Sequence, residues 1–97
     1  MYAVIFKAKP AEQDASYSTM VAQMRELAFS KYGCLDFIAA SEGEYEVAIS
    51  YWPDEASILA WKSDSTHALA QKLGQEKWYS EYSVQVLEVK RAYSFPK

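Results

Sequence analysis

The 97-residue chain has one cysteine, one histidine, three glycines and three prolines. With Cys34 alone no internal disulfide can form, which fits a reducing compartment and sets a cytoplasmic location as the expectation. One histidine and one cysteine among scattered carboxylates are too few for a dedicated zinc or iron site. Gly33, Gly43 and Gly74 stand apart, so there is neither a dinucleotide fingerprint nor a phosphate-cradling loop. No apolar run approaches the ~18–20 residues of a membrane-spanning helix. The opening MYAVIFKAKPAEQD lacks the basic and long apolar stretches of a secretory leader, so none is expected. Ten basic against thirteen acidic residues give a net charge of −3, which offers no basic face to nucleic acid. Aliphatic side chains are sparse as well. Leu, Ile, Val and Phe together supply 20 residues, close to the ~20% share below which disorder becomes the better expectation.

What the chain has instead is rings: eight Tyr, three Trp and four Phe. A single domain over residues 1–97 is expected, hiding about 65% of the surface its unfolded chain exposes. Its core must be built largely from aromatic groups with polar tips.

The pattern along the chain is regular. Tyr2 to Ala8 reads as a strand that stops before Pro10, which cannot donate to a central ladder. Asp14 is a helix N-cap, and Tyr17, Met20, Met24 and Leu27 recur at helical spacing, widened by Val21 and Ala28. Gly33 follows as the helix-ending glycine. Leu35–Ser41 and Tyr45–Trp52 flank Glu42-Gly43 as an antiparallel hairpin. In its second arm Tyr45, Val47, Ile49 and Tyr51 share one face, and Glu46, Ala48, Ser50 and Trp52 the other. Asp54 caps a helix carrying Ile58 and Trp61, and Ser63-Asp64-Ser65 is a second start signal before His67, Ala70 and Leu73. Residues 75–82 are ambiguous, with one more helical turn as an option. From Ser83 to Phe95 a period of two returns, with a change of face between Val86 and Leu87 that points to a bulge or a change of partner sheet.

Strand, helix, hairpin, helix, strand is the order of the ferredoxin-like βαββαβ unit, an α+β fold with a four-stranded antiparallel sheet. Two helices cover one face and leave the other bare. A second copy, packed sheet against sheet and exchanging the last strand, is the most economical cover.

The run Val47-Ala48-Ile49-Ser50-Tyr51-Trp52 leads the specific part of the chain. It is followed by Glu55-Ala56, Trp61-Lys62, His67, Ala70-Gln71, Gly74, Trp78-Tyr79 and Tyr82, and then Val89, Arg91, Tyr93 and Phe95. Together with the opening YAVIF, this spaced set resembles the antibiotic biosynthesis monooxygenase family, in particular its small single-domain bacterial members, over nearly the whole chain. The resemblance implies a dimeric α+β barrel of two ferredoxin-like units. It also implies one of several functions, among them cofactor-independent oxygenation of polycyclic phenols or quinones, and haem degradation. The haem-degrading branch uses an asparagine in the first strand and an axial histidine in an Ala-His pair. Here the first strand reads YAVIFKA and the pair is Ala70-Gln71, and glutamine is a poor iron ligand beside imidazole. No cofactor is therefore expected.

The resemblance makes His67 and Trp61 the catalytic candidates. His67 is the one side chain with an unperturbed pKa near neutrality, and a cofactor-free oxygenase needs a base to turn a phenol into an electron-rich anion. The competing reading is a histidine that ties one element to its neighbour. Trp52, Trp61 and Trp78 can stack on a flat ligand or simply fill the core and a dimer seam. Tyr51, Tyr79 and Tyr82 can orient a carbonyl or phenol, or anchor strand ends, and Gln71 joins them as a pocket candidate. Arg91, mid-strand in this reading, is a candidate anion stabiliser, and Cys34 a small buried hydrophobe. Glu42, Glu44 and Glu46 read as a solvated hairpin edge. The expected partner is a small aromatic molecule, with a non-catalytic binding module as the rival function and haem binding as a third. Neither nucleic acid nor a membrane is expected as a partner.

Overall fold

Strand β1 spans Tyr2–Pro10, its ladder ending at the proline that has no N–H to donate. The computed structural model describes residues 1–96. Lys97 and the side chains of Ser65 and Thr66 lie outside the described residues, and with them the part of Ser65 in the second start signal. Helix α1, Ala15–Ser30, starts at Asp14, whose carboxylate accepts the Ser16 N–H at 3.0 Å. Ala28 is fully buried, and Met24 and Leu27 pack against the same core. At the far end Lys31 and Tyr32 return N–H groups to the Leu27 carbonyl, and Cys34 bonds the Ala28 carbonyl. That turn requires φ +76° at Gly33, a conformation glycine adopts without strain.

Strands β2, Asp36–Glu42, and β3, Tyr45–Trp52, form the hairpin. Glu42 pairs with Tyr45, so the two turn residues are Gly43 and Glu44, one position beyond the predicted Glu42-Gly43. The correction has a backbone cause: the first position of such a turn needs positive φ, and Gly43 supplies +59°. Helix α2, Glu55–Ser63, is capped by Asp54, and α3, Ser65–Leu73, follows after the break at Asp64. The ambiguous stretch then resolves into a π-helical turn, Gly74–Trp78, and the start of β4, Tyr79–Glu88.

The last strand therefore begins earlier than the predicted Ser83 and stops well short of Phe95. It stops because its partner runs out: Tyr2 pairs with Glu88, and the Val89 N–H bonds the Met1 carbonyl. The ladder runs without a shift past Val86 and Leu87, and the one irregularity lies at Lys9/Pro10, opposite Tyr79. No bulge is needed to explain the apolar pair, because Val86 faces the helices and Leu87 the opposite side.

The sheet order is β2-β3-β1-β4 with every described pairing antiparallel, the ferredoxin-like α+β arrangement with its second helix split into α2 and α3. Register puts Val4 and Phe6 on the helix side together with Phe37, Ser50, Trp52 and Val84. Ile5, Ile38, Ile49, Tyr51 and Leu87 share the opposite face, which no described element covers. The core lies between sheet and helices around Val4, Ala28, Cys34, Trp52, Ile58 and Trp61.

Trp52 is wholly buried, and its indole N–H donates to the buried Ser50 hydroxyl at 2.9 Å. Ser50→Ala leaves that N–H unpaired and is expected to cost about 1–3 kcal/mol. Trp52→Ala removes the ring as well and should cost about 3–5 kcal/mol. Urea unfolding of the two variants checks both magnitudes and their order.

Candidate functional site

A cavity of about 490 Å³ opens between the helices and the sheet, within the range of small-molecule sites. One side is the helix-facing surface of the strands, with Val4, Phe6, Ala48, Val84 and Val86. The other side comes from α1, α2 and α3. On α3 His67, Ala70 and Gln71 recur at helical spacing, and the π-helical turn continues the row with Gly74 and Trp78. The wall is mostly apolar, with a few polar groups in two places.

The ring contacts of the described residues fall into two separate clusters. The first centres on Trp61. Its indole stands 5.1 Å from the Trp52 ring, 6.4 Å from Phe37 and 4.4 Å from His67, centroid to centroid. The Trp61 N–H donates to the Met24 carbonyl at 3.0 Å, which fixes the ring against α1. His67 meets Trp61 edge to face at 77°. Burial holds its pKa below the ordinary 6.5, with Lys62 adding to the effect and Asp64 opposing it. Its Nδ1 is buried without a hydrogen-bond partner among the described residues. At neutral pH this imidazole is uncharged and able to accept a proton.

The second cluster joins Phe6, Tyr17, Trp78, Tyr79 and Tyr82. Here the polar tips are linked. Tyr17 donates to Glu46 at 2.7 Å, and Tyr79 donates to the Tyr17 oxygen at 3.1 Å. Burial raises the pKa of both phenols, with Glu46 adding to the rise at Tyr17, so they remain protonated. The Tyr79 ring is held by the close passage of Gly74, where a Cβ would lie 3.1 Å from it. The π-helical turn that carries Gly74 is anchored through Lys77 to Asp14 and by the Ala11 N–H to the Trp78 carbonyl. Trp78 is buried, and its Nε1 has no partner among the described residues. Gln75 donates to the Tyr82 hydroxyl at 3.0 Å.

Six of the sequence candidates thus line one cavity: Trp61, His67, Gln71, Trp78, Tyr79 and Tyr82. Three do not. Trp52 lies in the core against Trp61, because its position in β3 places it on the helix side of the sheet, where it is fully buried. Tyr51 alternates to the uncovered face of the sheet. Arg91 lies beyond the end of β4 and is exposed, not mid-strand. Sequence reasoning missed Tyr17 and Glu46 as site residues. Glu46 is half-buried on the helix side, not part of a solvated edge. Its alternation in β3 with Ala48, Ser50 and Trp52 was the available signal: a carboxylate on a face that is otherwise buried.

His67 is the sole histidine, so its ε1 proton gives one titrating NMR resonance. The midpoint is expected below 6.5. Between that midpoint and 6.5 the unfolded chain binds more protons than the folded one. Stability therefore falls as pH drops through this window, and His67→Gln should flatten that part of the profile.

No protein-family model matches the chain. A jasmonate monooxygenase ABM from Pyricularia oryzae (strain 70-15) is 29% identical over 93 residues, covering 92% of this chain and 43% of the relative. The chain thus spans less than half the length of that protein. Among solved structures, Rv0793 from Mycobacterium tuberculosis superposes with a TM-score of 0.80 at 14% identity, covering 96% of this chain and 98% of that one. SnoaB, a cofactor-independent oxygenase from Streptomyces nogalater, gives 0.71 at 11% identity, covering 99% and 97%. The chain is thus similar in sequence to a protein named a monooxygenase, and it shares its fold with Rv0793 and SnoaB.

Proposed function

We propose that this chain is a monooxygenase acting on a small aromatic or quinone-like molecule, with no resident metal or organic cofactor. The observation that carries the reading is the cavity itself: a mostly apolar, ring-lined space with a neutral, partly buried histidine against a tryptophan. The name of the fungal relative and the description of SnoaB as a cofactor-independent oxygenase support it. Among the described residues no three His, Cys, Asp or Glu side chains gather into a group able to hold a metal ion.

In this reading the ligand phenol loses its proton to His67. The resulting anion passes one electron to dioxygen, which avoids the spin barrier of a direct two-electron step. The radical pair combines to form a C–O bond, and the peroxide takes back the proton. Loss of water then leaves the quinone. One oxygen atom enters the ligand and the other leaves as water, with all electrons drawn from the ligand. The apolar wall keeps water from the radical pair, and Trp61 supplies a flat surface for the ring.

Oxygen uptake with a panel of naphthols and hydroquinones, and with jasmonate, is the test. Turnover on at least one phenolic member is expected, falling about 100-fold or more in His67→Ala and clearly in Trp61→Phe. Tight binding with no oxygen uptake would instead favour a module that only sequesters a hydrophobic metabolite.

The active form in this proposal is a homodimer joined through the uncovered sheet face, with the C-terminal tail reaching its partner. A folded monomer of this mass exposes roughly 5,600 Å², whereas this chain exposes 6692 Å². The excess is of the order one subunit buries in a standard interface. Ile38 and Leu87 on that face, and Tyr93 and Phe95 on the tail, are all exposed. Light scattering at micromolar concentration should give twice 11.0 kDa, and Ile38→Lys with Leu87→Lys should reduce it to the monomer mass.

A further inference from the structure

Tyr79, Tyr17 and Glu46 all line the cavity, and the oxygen chemistry above uses none of them. We propose that the Tyr79 hydroxyl is a fixed hydrogen-bond acceptor that selects ligands carrying a second hydroxyl, on a ring distant from the one whose phenol meets His67. That second hydroxyl keeps its proton, so the station does not compete with His67. The inference rests on the part of the preceding reading that puts an aromatic phenol in this cavity with one hydroxyl at His67, and not on the reaction with oxygen.

Donor counting sets the polarity of the station. A phenol has one proton to give, and Tyr17 gives its own to Glu46 at 2.7 Å. The Tyr17 oxygen is left as an acceptor, and Tyr79 donates its one proton there at 3.1 Å. Burial keeps both phenols protonated, so neither donor is lost by ionisation. No described side chain donates in turn to the Tyr79 oxygen. Tyr82, with its ring centroid 6.0 Å away, accepts from Gln75 instead. Tyr79 therefore lines the cavity with lone pairs to offer and its proton already spent. A ligand O–H satisfies it. An ether oxygen there meets a second acceptor, or takes the Tyr79 proton and leaves the Tyr17 oxygen without its donor.

The station is held in place. Gly74 lies against one edge of the Tyr79 ring, Phe6 meets that ring at 5.4 Å, and Trp78 stands edge-on to Tyr17 at 87°. It also stands well away from His67. His67 and Gly74 belong to the row that runs along α3 into the π-helical turn, and their separation is about 10 Å at about 1.5 Å per residue. A single benzene ring does not bridge that span, whereas two or three fused rings do. The wall between the two stations is mostly apolar, which suits the ring faces. The ligand class is thus a fused-ring diol with its hydroxyls at opposite ends.

The probes are 2,6-dihydroxynaphthalene and 6-methoxy-2-naphthol, which differ by one methyl group, titrated calorimetrically into the full chain under nitrogen. Wild type is expected to bind the diol roughly ten-fold more tightly, beyond the two-fold edge that the symmetry of the diol gives by itself. Tyr79→Phe should bring the two probes within two-fold while the affinity for the methoxy compound stays within two-fold of wild type, which also reports an intact cavity. Tyr17→Phe keeps Tyr79 but frees its proton, so the methoxy compound should bind more tightly than it does to wild type. A tyrosine that only fills space would give no such gain. Binding of the two probes to wild type within two-fold, a preference that survives in Tyr79→Phe, or no gain for the methoxy compound in Tyr17→Phe overturns the station. Failure of both probes to bind wild type overturns it together with the aromatic site. No readout needs oxygen: a diol preference without turnover sinks the oxygenase reading alone, and turnover without the preference sinks the station alone.

Discussion

The structure hangs on the indole of Trp61. Its N–H is bonded to a carbonyl of α1, its ring packs at a tilt against Trp52 of β3, and it meets His67 of α3 edge to face. One side chain thus fixes α1, α2, α3 and the sheet relative to one another. A carbonyl in mid-helix is an unusual acceptor, since it already serves the helix ladder, and its second lone pair is what the indole takes. Because the same ring also forms cavity wall, the element that holds the layers together sets the shape of the space between them.

A chain short of aliphatic groups solves its packing problem in a particular way. Rings provide area, and each polar tip needs a partner wherever it is buried. Trp52 finds Ser50, Trp61 finds Met24, Tyr32 finds Asp64, and Tyr17 finds Glu46. The buried polar atoms that find none among the described residues, His67 Nδ1 and Trp78 Nε1, belong to residues that line the cavity. Structural demand and ligand chemistry therefore share one set of residues. The two ring clusters, one around Trp61 and one around Tyr79, give the cavity two polar stations on an otherwise greasy wall.

Much of the fold was legible in the sequence for simple reasons. Period-two and helical spacings determine which side of each element is apolar, and Asp14, Asp54 and Gly33 mark ends through local backbone chemistry that needs no tertiary context. The boundaries of β4 were not legible, because they are set by the reach of β1 and not by anything in residues 79–95. Membership of the cavity was legible in part. His67, Gln71 and Trp78 lie on one continuous helical row, whereas Tyr51 and Trp52 are neighbours in sequence that point to opposite sides of a sheet.

Glu46 shows the limit most clearly. Beside Glu42 and Glu44 at a hairpin tip it reads as one more solvated charge, and no local rule separates it from them. Its meaning comes from Tyr17 on α1 and Tyr79 at the start of β4, residues 29 and 62 positions apart along the chain from the partners they bond. By itself the sequence determined the order of the elements, their apolar faces and the ring-rich character of the core, because these follow from spacing and composition. Only the tertiary structure decided which polar tips meet, since a hydrogen bond depends on ångström-scale placement of groups that packing brings together from distant segments.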